Sequence, residues 1–174
     1  MSFSAVPRDV YSLNVPVPGE VSALASSLAR EIPAARARPR DKHTLVVKRL
    51  GGAGHDAFAR LAARARETLT GTPAFEARIA GVDYFPRAAA GPSPVVYLAV
   101  ESPGLVALHH RLCEAFDPVE DVEGDAYVPH VTVARGGAVE AAELSVDPVE
   151  WTVTELAFRD AERGQSAGTV SLPA

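Results

Sequence analysis

Two histidines open short β-branched runs in this 174-residue chain, His43 in HTLVVKRL and His130 in HVTVAR. Side chains at i and i+2 of a strand share a face, so His130 and Thr132 point together while Val131 and Val133 face the other way. An imidazole beside a hydroxyl suits a phosphate. The hydroxyl donates to a non-bridging oxygen and the ring moves a proton. Pro129 restricts Val128 to extended backbone, which fits entry into a strand. Arg135 closes the run, either as a phosphate contact or as a surface ion pair.

The first run differs, because its threonine, Thr44, stands at +1 and Leu45 at +2. In a regular strand Leu45 would share the face of His43. Either a bulge returns Thr44 to that face, or a basic side chain takes over the phosphate contact. Arg49 shares the odd-numbered face, and Lys42 and Arg40 lie just upstream. Two imidazoles converging from two strands on one cleft would supply a base and an acid.

The remaining histidines offer less. His109 and His110 are adjacent on a helical segment, face different directions and read as solvated helix residues. His55 has no suggestive neighbour. No histidine pair has i, i+4 ligand spacing, and Cys113 is the only cysteine, so neither a metal site nor a disulfide is expected. Tyr97 and Tyr84 are able to stack on a base, although strand aromatics more often belong to a core.

The elements that must carry the two histidines repeat. Val10 to Val17 alternates as a strand, Pro18-Gly19 opens a helix over 20–30, and 43–50 is a strand ended by Gly51-Gly52. A helix over 55–69 and a strand over 75–84 follow, then a Pro/Gly-rich stretch, 86–94. The order restarts with a strand at 95–100, a helix opened by Pro103-Gly104 and a strand at 130–135. A short helix over 139–144 and closing strands at 151–158 and 169–172 complete it. At constant offset Leu13 aligns with Leu98, Val15 with Val100, Pro18 with Pro103, Gly19 with Gly104 and Val21 with Val106. The repeated unit is strand, helix, strand, with a histidine opening the second strand of each copy.

The segment Tyr127-Val128-Pro129-His130-Val131-Thr132-Val133-Ala134-Arg135 resembles the second His-x-Thr motif of the two-histidine phosphoesterase superfamily, the 2′-5′ RNA ligase and RNA 2′,3′-cyclic phosphodiesterase group. His43 with KRLG at 48–51, the opening strand and 95–112 add to the likeness. The resemblance implies an α+β fold of two pseudo-symmetric βα lobes, with mainly antiparallel sheets forming a concave central cleft. It implies cofactor-independent opening of a cyclic phosphate at the end of an RNA or nucleotide. His43 and His130 would be the acid–base pair, and Thr132, Thr44, Arg135 and Arg49 would bind phosphate. Reversible 2′-5′ joining would follow from microscopic reversibility. The alternative, prompted by Leu45, is a catalytically weak module that binds RNA ends or a phosphorylated metabolite.

A hydrophobic content of 47% supports a real core, and one bilobed unit over 1–174 is expected. Residues 1–9 would be a flexible extension, 10–85 and 95–174 the lobes, and 86–94 the linker, with strand exchange between lobes allowed. A net charge of −5 argues against non-specific coating of nucleic acid. The distribution is uneven. Arg30, Arg36, Arg38, Arg40, Lys42, Lys48 and Arg49 are opposed over 30–49 only by Glu31 and Asp41, which points to a local anion site. With no apolar run of about 18 residues and no export signal, a cytoplasmic monomer without membrane partners is expected.

Overall fold

A computed structural model describes residues 10–52, 55–88, 91–139 and 144–173. The expected extension over 1–9 and most of the short helix over 139–144 lie outside the described residues. In chain order the elements are β1 (Tyr11–Val15), α1 (Gly19–Ala29), β2 (Arg36–Ala37), β3 (Leu45–Gly51), α2 (His55–Leu69) and β4 (Phe75–Phe85). Then come β5 (Val95–Glu101), α3 (Pro103–Ala115), β6 (His130–Arg135), β7 (Val149–Val153), β8 (Glu155–Asp160) and β9 (Gln165–Ser171). Single 3₁₀ turns precede β3 at Arg40–Lys42 and β6 at Gly124–Ala126.

The helices form where apolar residues recur at helical spacing beside a start signal. Val21, Ala25 and Leu28 bury one stripe of α1 after Pro18. Leu105, Leu108 and Leu112 do the same for α3, whose Ser102 cap accepts from the Leu105 amide at 3.2 Å with Pro103 at the first helical position. The run expected as one strand from 151 to 158 is two strands, β7 and β8, separated at Thr154.

The strands form one curled antiparallel sheet in the order β7-β4-β5-β6-β3-β1-β8-β9, with β2 paired to β6 beside the path. The order is symmetric about the seam between β6 and β3. β5 answers to β1, β4 to β8 and β7 to β9. β4 follows the first helical pair in the chain yet pairs with β5, and β8 from the second half pairs with β1. The helices cross over as well, α1 packing on β6 and α3 on β3. Leu13, Leu45, Val47, Leu98, Val131, Val133, Leu156 and Phe158 are buried in the one core these elements share, each contributing about 1.5–3 kcal/mol by transfer out of water. The opposite, concave face carries the polar members of the same strands. The architecture is the α+β fold of two pseudo-symmetric lobes around a central cleft.

Candidate active site

Strand β6 places its alternating residues as expected. Val131 and Val133 are buried, whereas His130 and Thr132 are half-exposed on the concave face. Opposite them on β5 stand Ala99 and Tyr97. Tyr97 is core-like in burial but borders the site. Phe85 stacks on it with centroids 4.3 Å apart, and both rings meet His130 edge-on at 5.4 Å. Tyr84 is exposed and takes no part in this cluster. The His130 Nδ1–H donates to the Val128 carbonyl at 2.7 Å, so Nε2 is the nitrogen presented to the cleft. Burial, then Arg49 and Arg135, lower its pKa against the opposing Val128 contact, which keeps the ring neutral and ready to accept a proton. A cavity of about 380 Å³ opens here, lined among others by Val46, Arg49, Phe85, Tyr127, His130 and Arg135.

Arg49 reaches this cleft through a bulge. Asn14 pairs with Val46 and Leu13 with Lys48, which leaves Val47 as the extra residue of β3. Beyond the bulge the faces are exchanged, so Lys48 turns into the core and Arg49 joins Val46 in the cleft. The expectation that Arg49 shares the face of His43 is therefore corrected, and the cause is the extra residue between them.

Lys48 is wholly buried and needs a partner. Its Nζ lies 2.7 Å from Glu123 Oε1, and Glu123 also accepts from the amides of Arg49 and Val119, each at 2.9 Å. Burial alone would raise the Glu123 pKa; the two amides and the ammonium overcome it and hold the carboxyl below its ordinary value. The 117–127 loop is thereby tied to β3. A second tie runs through His109, which is fully buried rather than solvated as expected. Its Nδ1–H donates to the Val47 carbonyl at 2.7 Å, Nε2 accepts from the Gly124 amide at 2.9 Å, and its ring stacks on Tyr127 at 3.7 Å. The Tyr127 hydroxyl completes the tie by donating to the Val46 carbonyl at 2.7 Å. His110 is exposed, as expected.

The first histidine does not reach the cleft with the second. Residues 36–38 run beside β6, Arg36 opposite Arg135 and the Arg38 amide on the Val133 carbonyl, and the chain rejoins β6 only at Leu45, opposite Val131. Between them the chain loops outward through the Arg40–Lys42 turn. His43 leaves that turn extended, so His43 and Thr44 point to opposite sides. Thr44 takes the cleft side, where its hydroxyl donates to Asn14 Oδ1 at 3.0 Å and Asn14 donates onward to Ser12 Oγ at 2.9 Å. The His43 ring is covered, with Nδ1 and Nε2 both sealed from solvent and without a well-formed hydrogen bond. Burial, then Arg38 and Arg40, lower its pKa, opposed by the Arg38 backbone and Asp41.

Of the sequence-derived site residues, His130, Thr132, Arg135 and Arg49 thus share one face, Thr44 stands at its margin, and His43 is turned away. Ser12, Asn14 and Glu123 were not anticipated, and Lys48, counted among the cations of a local anion site, is instead committed to Glu123 in the core. Ser12 and Asn14 had a readable signal, two polar residues at i and i+2 in an apolar strand. Lys48 and Glu123 depend on the bulge, which the sequence does not mark. Among the described residues no group of three or more His, Cys, Asp or Glu is placed to hold a metal ion, and no helix is long and apolar enough to cross a membrane.

A symmetric, strand-exchanged pair of βα lobes around a cleft is the fold of the two-histidine phosphoesterase class. The family model described as the 2′-5′ RNA ligase superfamily matches residues 47–165, and the chain belongs to that family. The matched stretch contains Arg49, His130, Thr132 and Arg135 and begins beyond His43 and Thr44. Among solved structures, TT0787 of Thermus thermophilus is similar with a TM-score of 0.70 and 21% identity, over 93% of this chain and 97% of that one. E. coli LigT complexed with ATP is similar with a TM-score of 0.71 and 19% identity, over 94% and 97%. E. coli LigT complexed with 3′-AMP gives a TM-score of 0.71 and 17% identity, over 94% and 98%. No curated protein matches the chain in sequence.

Proposed function

We propose that the protein is a phosphodiesterase that opens a 2′,3′-cyclic phosphate at the end of an RNA or a nucleotide without a metal, with His130 as its central proton-transfer group. The observation that carries this reading is the His130 ring, held at Nδ1 by the Val128 carbonyl and lining one cavity with Arg49 and Arg135. In the step envisaged, Nε2 takes a proton from water as its oxygen bonds to phosphorus. One of the two ribose P–O bonds breaks, and the departing oxygen takes up a proton. Arg49, Arg135 and the Thr132 hydroxyl hold the phosphoryl oxygens as charge develops on them. In-line displacement puts the departing oxygen on the side away from His130. The first lobe therefore supplies its proton, from His43 once residues 39–44 turn that ring inward. Similarity to LigT bound to ATP and to 3′-AMP supports a nucleotide-sized ligand for this cleft.

The sealed His43 ring favours a second reading, a module that captures phosphorylated RNA ends and turns them over weakly. Turnover of a nucleoside 2′,3′-cyclic phosphate in EDTA, by wild type, His130→Ala and His43→Ala, separates the two. Loss of about 10²- to 10⁴-fold in kcat for His130→Ala is expected. A comparable loss in His43→Ala supports the paired mechanism. Undiminished activity in His43→Ala removes His43 from it, and binding without conversion by wild type establishes the module.

A further inference from the structure

The cavity at His130 is divided in its chemistry. Arg49, Arg87 and Arg135 line it, and Asp121 is the one carboxylate among its described lining residues. An acid that shares a cavity with three arginines would be expected to pair with one of them. No guanidinium lies within ion-pair distance of Asp121, however, and among the described residues its side chain has no hydrogen-bond partner. Its place is nonetheless fixed. The Val122 and Glu123 amides close a turn on the Val119 carbonyl at 3.3 and 2.9 Å, Glu123 is locked to Lys48, and Asp121 within that turn holds φ at +67°. Aspartate is among the few residues that tolerate this left-handed conformation, so a closed turn holds it at the cavity wall. Much of the remaining wall is apolar, made by Val46, Val95, Val122 and Val128 with the Phe85 ring, which Tyr97 backs at 4.3 Å.

We propose that Asp121 reads a guanine base in this cavity, so that the preferred substrate end is a guanosine nucleotide. Phosphate belongs with the arginines and is repelled by a carboxylate. Asp121 therefore suits a part of the ligand that donates hydrogen bonds, and the flat base of a nucleotide is the part that both donates and lies against an aromatic and aliphatic wall. A carboxylate offers two acceptor oxygens and no donor. Guanine presents N1–H and an N2–H side by side and satisfies both oxygens at once. In adenine and cytosine the amino group adjoins a ring nitrogen that is itself an acceptor, and in uracil N3–H lies between two carbonyls. One oxygen of Asp121 would face a lone pair in each of these. The cavity, at about 380 Å³, is of the size that small ligands occupy.

This inference rests on the proposed nucleotide substrate, but its test reads binding and does not need turnover. Dissociation constants would be measured by calorimetry for the 3′-phosphates of guanosine, inosine, adenosine and uridine. Guanosine is expected to bind about tenfold more tightly than adenosine or uridine, the worth of a paired contact to a base edge. Inosine keeps N1–H and lacks the N2 amine, so it should fall between them. Asp121→Asn retains a side chain that tolerates φ above zero. Removing a negative charge is expected to tighten every phosphate ligand, so the ratio of constants is the readout. An amide pairs one donor with one acceptor, as adenine does, and the variant should lose the preference for guanosine or reverse it toward adenosine. Equal affinity for all the ligands in the wild type would overturn the base reading and leave the nucleotide site standing. An undiminished guanosine preference in Asp121→Asn would overturn it as well. Failure of every ligand to bind would remove the nucleotide site and the base reading together. A guanosine preference without turnover of guanosine 2′,3′-cyclic phosphate would remove the proposed catalysis and keep the base reading.

Discussion

His130 has one nitrogen committed to Val128 and one left for substrate, so a single protonation silences it as a base. Its pKa lies below the ordinary histidine value of 6.5. The acid limb of kcat/KM is therefore expected below pH 6.5, and a limb at or above that value would assign the base to another group. His43 titrates in the same direction with a different consequence. Its folded pKa is depressed, so the unfolded chain binds the extra proton, and stability rises with pH across the interval between the two values. The contribution is complete above about pH 6.5 and is lost as the pH falls from there toward the folded pKa. His43→Leu is expected to flatten the fall in Tm between about pH 7 and pH 5, as followed by circular dichroism. At this scale His130 was legible because its partner stands at i+2 and a proline precedes it. The orientation of His43 was not, because it is set by where the chain leaves and rejoins β6, and no residue near 43 encodes that.

Two devices position the cleft's walls at the scale of elements. The Lys48–Glu123 pair ties the 117–127 loop to β3 with both side chains out of water. Breaking a buried pair from one side leaves the other charge stranded. Glu123→Ala is expected to cost about 3–5 kcal/mol in urea unfolding, more than Lys48→Met, since it also orphans the Arg49 and Val119 amides. Arg49 would lose its anchor, so a folded remnant should show raised KM as well. The other device is Gly137, just beyond β6, at φ +84°. A Cβ there would come within 2.7 Å of backbone atoms of Pro33 and Ala35, where the arm carrying Arg38 to Thr44 begins. Gly137→Ala is expected to destabilise by about 1–3 kcal/mol from the backbone conformation alone, and more from the clash. Most elements were readable in advance because apolar periodicity and Pro/Gly punctuation agree. The bulge at Val47 was not, since VVK alternates acceptably in either register and only pairing with β1 decides it.

Over the whole molecule, net charge and local field have opposite signs. A chain of net charge −5 places Arg49, Arg87 and Arg135 on the lining of one cleft. Ligand affinity should therefore weaken with added salt although the protein as a whole is acidic. Binding of a nucleoside 3′-phosphate at about 50 and 300 mM NaCl checks this, and salt-independent affinity would mean that the arginines do not meet the ligand. The repeat of strand, helix and strand was visible in the sequence, but its exchange of strands was not, because nothing local distinguishes a strand that pairs within its own half from one that crosses over.

That exchange bears on biosynthesis. β1 is synthesised well before β8, which fills one of its edges and ends at Asp160. At about 5–20 residues per second, β1 waits roughly 7 to 30 s before that partner has been made. Through this interval its outer edge is open to any other strand. Cotranslational protection of the nascent first half is thus a demand the topology makes, and a chain cut before β8 is expected to aggregate during expression in place of folding as a smaller domain.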